Sequence, residues 1–181
     1  MKRISPAVRK KAQLIKLLLL DVDGVLTDGR IIIDDRGVET KQFDVRDGQG
    51  IVSLMAAGIQ VGLITARTSK VVSHRAKELG LRMVLQGVRS KADAYSEIQR
   101  KTGLAETEIA YMGDDIGDLQ ILHRVGLAVT VSDGWQELSK LVDYITEKPG
   151  GRGAVREVAE LLLRAQNKWR ELEKYSVKLN I

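Results

Sequence analysis

The segment Leu17-Leu18-Leu19-Leu20-Asp21-Val22-Asp23-Gly24 constrains the fold of this chain more than any other. Four successive leucines leave no polar face, so the run reads as a strand buried on both sides, as in a parallel sheet covered by helices. It ends in two carboxylates one residue apart. Residues i and i+2 of an extended chain point to the same side, so Asp21 and Asp23 can face one small reacting group. Ligands of open α/β sheets bind outside the carboxyl ends of the strands, where this pair lies. Asp-x-Asp-Gly is also an ordinary strand end and turn, and the rest of the chain decides between the two.

Further strands are expected at Ile59 to Ile64, Arg82 to Leu85, Ile109 to Met112, Gly126 to Val131 and Tyr144-Ile145. Helices are expected between them: Gly50 to Ala57, from Thr68 or Ser69 to Gly80, Ser90 to Lys101, and Leu119 to Arg124. Ser5-Pro6 reads as a helix start. A final amphipathic helix carries Val155, Val158, Leu162, Ala165, Trp169 and Leu172 on one stripe. Alternating strands and helices imply an α/β, doubly wound, mostly parallel sheet of Rossmann-like kind. Arg30 to Ile33 and Val38 to Val45 flank Asp34-Asp35-Arg36-Gly37 and read as a β-hairpin. It is too small to be a domain, so a flap at about 30–45 is expected in place of a cap domain. We read residues 1–181 as a single domain, with a glycine-rich tail and helix at about 149–175.

With no cysteine, disulfides and thiolate metal sites are excluded. No apolar run approaches a membrane span, and Leu17 to Leu20 is too short for a signal-peptide core. A cytoplasmic protein with no membrane partner is expected. The net charge is +5, with Lys2, Arg3, Arg9, Lys10, Lys11 and Lys16 near the start, but only 4% of residues are aromatic. That composition argues against a nucleic-acid stacking platform and suits an anionic small-molecule substrate.

The candidate chemistry lies at the strand ends. Asp21 and Asp23 follow the first strand, Thr65 the second, and Asp114 a later one, with Asp115 and Asp118 behind it; Lys91 opens a helix. Acids, a hydroxyl and a lysine converging on one rim are what metal-assisted phosphoryl transfer needs: carboxylates hold Mg²⁺, and threonine and lysine stabilise charge on the phosphoryl oxygens. His74 and His123 lack metal-ligand spacing and read as structural or surface residues. Trp135 and Trp169 read as packing residues.

The order Asp-x-Asp-Gly, Thr, Lys, Gly-Asp-Asp-x-x-x-Asp resembles the haloacid dehalogenase superfamily. Residues 21–29, 44–51, 64–67, 112–115 and 150–157 together resemble its 3-deoxy-D-manno-octulosonate 8-phosphate phosphatase family, over nearly the whole chain. Where that family usually has glycine this chain has Ala66, and Ser132-Asp133-Gly134-Trp135 replaces a small-residue-plus-proline pattern. The resemblance implies a Mg²⁺-dependent phosphomonoesterase acting on a sugar-acid phosphate in lipopolysaccharide precursor synthesis. Asp21 would be the nucleophile that forms an aspartyl-phosphate, and Asp23 the general acid and then base. Thr65 and Lys91 would bind the phosphoryl oxygens. Asp21, Asp114 and the backbone carbonyl of Asp23 would hold the metal, with Asp115 or Asp118 orienting its surroundings. Arg67, Asp47, Gly48 and Arg152 would contact the substrate. The family is homotetrameric, with hairpins at the subunit interface and one subunit's tail entering a neighbour's site. Arg152, alone among glycines, reads as the anion-binding group of such a mobile arm.

Three other readings compete. One is a phosphatase of a nonulosonate or other ester. Another is a receiver-like phospho-aspartate protein, in which the acidic pair rather than the phosphoacceptor ends the first strand. The third is a non-catalytic assembly subunit, which has no need of the full acid set.

Overall fold

A computed structural model describes residues 4–169. Lys2 and Arg3 of the basic segment, and Leu172 with the rest of the expected final helix, lie outside the described residues.

The chain opens with α1 (Pro6–Leu14), started by Ser5, whose Oγ accepts the Val8 N–H at 3.2 Å. Next comes β1 (Leu17–Leu20), then a short hairpin of β2 (Ile32–Ile33) and β3 (Glu39–Thr40). There follow α2 (Val45–Ala56), β4 (Gln60–Ile64), α3 (Lys70–Glu78), β5 (Met83–Leu85), α4 (Lys91–Thr102), β6 (Ile109–Gly113), α5 (Leu119–Leu122), β7 (Leu127–Thr130), β8 (Tyr144–Ile145) and α6 (Ala154–Ala165). Six strands form one parallel sheet in the order β5-β4-β1-β6-β7-β8, and β2 and β3 pair antiparallel beside it.

β1 lies at the centre, and its leucines are fully buried. Their alternation splits the core. Leu18 and Leu20 join Ile51 of α2 and Val155, Val158 and Leu162 of α6 on one face. Leu17 and Leu19 join Tyr95 and Ile98 of α4 and Ile121 of α5 on the other. This double burial is why the run shows no polar alternation.

Two boundaries differ most from expectation: β3 covers only Glu39–Thr40 of the expected Val38 to Val45, and α2 begins early. α2 starts at Val45 rather than Gly50, because Asp44 caps it by accepting the Arg46 N–H at 2.7 Å. The two glycines inside it are tolerated because neighbours come close. A Cβ on Gly50 would sit 3.1 Å from Arg156 Cα and Ala159 Cβ of α6, and one on Gly48 would sit 2.3 Å from Arg75 Nη2. Trp169 packs partly buried against the α6 side of the core, with Arg164 and Arg156 over its ring. Trp135 is 39% exposed, so it is not the packing residue expected, and both histidines are on the surface.

Candidate active site

Strand register assembles the site. Leu20 pairs with Leu63 of β4 and with Met112 of β6. Asp21, Thr65 and Asp114 therefore leave the sheet at the same end, within one residue of level. Asp21 N–H still donates to Met112 C=O at 3.0 Å, which fixes the carboxylate at the strand mouth. Lys91 is the first residue of α4, set by the Ser90 cap. Its Nζ lies 3.1 Å from Asp21 Oδ1 and 2.6 Å from Asp118 Oδ1.

Asp118 answers which of the two later acids belongs to the cluster. It is 1% exposed and accepts four hydrogen bonds: from Lys91 and the Tyr111 hydroxyl at 2.5 Å on Oδ1, and from the Asp114 and Asp115 N–H groups at 3.0 and 3.1 Å on Oδ2. These use the lone-pair sites a carboxylate offers, so Asp118 orients its neighbours. Asp115 is exposed and caps the short turn after it, accepting the Ile116 N–H at 2.7 Å.

One carboxylate oxygen each from Asp21, Asp114 and Asp118 lie within 4.8 Å of one another. Burial, then the Asp118 charge, pushes Asp21 up to about 6, against the opposing pull of Lys91. Burial, then the charges of Asp21 and Asp118, pushes Asp114 up to about 7. Burial works against the Lys91 ammonium, but Asp21 and Asp118 outweigh it and raise its pKa. Three acids against one lysine is an oxygen-rich site with surplus negative charge, which fits a hard divalent cation on Asp21 and Asp114. The loop after β1 is built to approach it. Gly24 has φ +89°, and a Cβ there would lie 2.0 Å from Asp114 Oδ2.

Thr65 is 3% exposed, and its Oγ1 accepts the Arg67 N–H at 3.3 Å. Asp23 is partly exposed and meets two cations. Lys41 Nζ hydrogen-bonds its Oδ1, and Arg67 Nε is 3.8 Å from its Oδ2. Arg67 also binds Glu39 at 3.0 Å.

Asp47 and Gly48 stand elsewhere. Both are buried, and the Asp47 carboxylate accepts the N–H groups of Arg156 at 2.8 Å and Gly153 at 3.1 Å. It thus caps α6 from a neighbouring helix, where Gly153 offers no side chain. The Pro149–Gly153 loop is docked rather than a free arm. Gly150 N–H donates to Asp133 Oδ1 at 2.9 Å and Gly151 N–H to Val25 C=O at 2.9 Å. A Cβ on Gly150 would fall 1.8 Å from Gly24 C=O, so the loop lies directly on the one that carries Asp23. Arg152 remains 63% exposed, with Nη2 3.9 Å from Asp28.

Sequence reasoning missed Lys41, Glu39 and Tyr111, and read Ser69 only as one of two helix starts. Isolated polar residues in a hairpin or strand carry no spacing signal, and only the fold brings them to the acids. A cavity of about 950 Å³ runs along β5 between Met55, Arg82 and Lys101, and none of the acids lines it. Chemistry, not concavity, marks the site.

Residues 83–158 match the model of the haloacid dehalogenase-like hydrolases. The chain is 45% identical over 174 residues to the 3-deoxy-D-manno-octulosonate 8-phosphate phosphatase KdsC of Salmonella typhimurium, covering 96% of this chain and 93% of that one. It superimposes with TM-score 0.90 on the crystal structure of the phosphatase of that name from Yersinia pestis, at 42% identity and 91% and 89% coverage. The TM-score is also 0.90 for the Moraxella catarrhalis phosphatase in complex with magnesium, phosphate and KDO, at 43% identity and 93% and 97% coverage. With the acids, lysine and threonine gathered at one sheet end, this chain is a phosphomonoesterase and belongs to the 3-deoxy-D-manno-octulosonate 8-phosphate phosphatase family of haloacid dehalogenase-like hydrolases.

Proposed function

We propose that the chain hydrolyses 3-deoxy-D-manno-octulosonate 8-phosphate to the free sugar acid and phosphate, with Mg²⁺, as a step of lipopolysaccharide precursor synthesis in the cytoplasm. The observation that carries the chemistry is the Asp21–Lys91–Asp118 contact chain beside Asp114. The substrate follows from identity to the curated relatives along nearly the whole chain.

Asp21 attacks phosphorus and forms an aspartyl-phosphate. Lys91, held between Asp21 and Asp118, places its positive charge on the phosphoryl oxygens. Thr65 Oγ1 donates a hydrogen bond to the same oxygens. Asp23 gives a proton to the departing sugar oxygen, then takes one from the water that cleaves the aspartyl-phosphate. Asp21, Asp114 and the Asp23 carbonyl would hold Mg²⁺, which would neutralise charge on the phosphoryl group. Arg67 and Arg152 bind the sugar carboxylate or the phosphate; their exposure near Asp23 and Asp28 supports that reading. Ile31, Ile32, Ile33 and Val38 are 57, 41, 56 and 54% exposed on the hairpin, which supports burial of the hairpin against other copies in a homotetramer.

The test is phosphate release from a panel of sugar-acid and hexose phosphates, with Mg²⁺ and with EDTA. The expected result is Mg²⁺-dependent turnover with the highest kcat/KM on 3-deoxy-D-manno-octulosonate 8-phosphate. Equal kcat/KM across unrelated phosphates overturns the substrate, a nonulosonate phosphate in first place replaces it, and full activity after chelation overturns the metal role.

A further inference from the structure

The hairpin is mostly exposed, yet the side chain of Lys41 at its exit is only 1% accessible. A buried ammonium is costly unless anions surround it. Two do: Asp23 Oδ1 accepts its hydrogen bond, and Glu39 Oε1 lies 3.4 Å away. Glu39 is itself held, by Arg67 Nη2 at 3.0 Å and by the Ser69 hydroxyl at 2.5 Å. Ser69 caps α3, its Oγ accepting the Val72 N–H. Two segments, the hairpin and the β4–α3 loop that ends at the α3 cap, thus hold Lys41 against Asp23 Oδ1, while Arg67 Nε stands 3.8 Å from Oδ2.

We propose that Lys41 is a positioning residue for Asp23, locking its carboxyl rotamer so that Oδ2 faces the departing oxygen. The proposal rests on the reading of Asp23 as acid and base. In the first half-reaction the bond from Asp21 to phosphorus forms as the ester P–O bond breaks. The proton on Asp23 Oδ2 passes to the leaving oxygen. In the second, water attacks phosphorus, its proton returns to Asp23, and Asp21 and inorganic phosphate are released. Lys41 gives and takes no proton in this cycle. Among the described residues its ion pairs are with Asp23 and Glu39, not with the Asp21 cluster, so its loss leaves the nucleophile in place.

The readout is dependence on the leaving group. An alkyl oxygen needs the proton from Asp23, whereas 4-nitrophenolate departs without one. With Lys41→Met, kcat/KM on the sugar-acid phosphate, which reads only the steps through phosphoryl transfer to Asp21, falls about 10²-fold, the cost of a misplacement of about 1 Å. On 4-nitrophenyl phosphate kcat/KM falls less than about threefold, while kcat, which includes the water step that also uses Asp23, falls for both substrates. Lys41→Arg, which keeps a donor and a charge, recovers at least about tenfold of the loss. Asp23→Asn is measured beside them. If it lacks the alkyl-selective loss, the acid–base reading of Asp23 is what fails. If it shows that loss while Lys41→Met lowers kcat/KM for both substrates equally or for neither, the positioning role is overturned. Should Lys41→Met not fold, Glu39→Gln carries the same comparison: alkyl-selective loss supports the role, and equal losses overturn it.

Discussion

Removing the Asp47 carboxylate tests how the Pro149–Gly153 loop is held. Asp47 is 1% exposed and accepts two N–H groups at the start of α6, 2.8 and 3.1 Å away, where Gly153 supplies no side-chain cap. Asp47→Ala strands both donors in a buried place. Each buried unsatisfied N–H costs about 1–3 kcal/mol, and loss of an ordinary cap costs about 0.5–2 kcal/mol. Part of this is offset because burial already opposes the charge and raises the Asp47 pKa, against the pull of the Arg156 and Gly153 N–H groups. The net loss should be about 2–3 kcal/mol, a fall in Tm of roughly 4–12 °C for a chain of this size. Asp47→Asn keeps one acceptor oxygen and should lose about half as much. Thermal unfolding followed by circular dichroism at fixed protein concentration measures both. A Tm within about a degree of wild type for Asp47→Ala would falsify the capping role and return Asp47 to the list of substrate contacts.

The other expectations follow from the site. Asp21 and Asp114 have carboxyls raised to about 6 and about 7, so the metal-free fold binds more protons than the unfolded chain between pH 4 and pH 7. Its Tm in EDTA should therefore rise as pH falls from 8 to 5.5, and excess Mg²⁺ should flatten that slope; a Tm that falls over this range contradicts the charge crowding. Gly24→Ala places a Cβ 2.0 Å from Asp114 Oδ2 at φ +89°, so it should weaken Mg²⁺ binding at least about tenfold by calorimetry, and unchanged affinity refutes the contact. Arg152→Ala should lower kcat/KM on the sugar-acid phosphate about tenfold or more and leave 4-nitrophenyl phosphate nearly untouched. Equal effects on both remove its recognition role.

The acids at the sheet end were legible because β1 is buried on both faces and its apolar run stops at Asp21. The helix starts at Ser5 and, with Thr68 as the alternative, at Ser69 were legible for the same kind of local reason. What the sequence could not carry is long range. Asp47 sits in a motif that reads as a substrate contact, and only the packing of α2 on α6 reveals a cap. Lys41 is an unremarkable lysine until the hairpin folds back over Asp23. Asp115 and Asp118 are equivalent as letters, and the turn after β6 alone sends one to solvent and the other beneath Lys91. The glycines around Arg152 suggest mobility, whereas Gly150 is there because the loop lies against Gly24 C=O with no room for a side chain.

The central claim is that Asp21 carries the phosphoryl group. Rapid acid quench of enzyme mixed with ³²P-labelled 3-deoxy-D-manno-octulosonate 8-phosphate and Mg²⁺, followed by digestion, tests it most directly. The account predicts hydroxylamine-labile label on the peptide that contains Asp21. It also predicts that folded Asp21→Asn acquires no label and releases no phosphate. Label on another peptide, or near-wild-type phosphate release by Asp21→Asn, would contradict it.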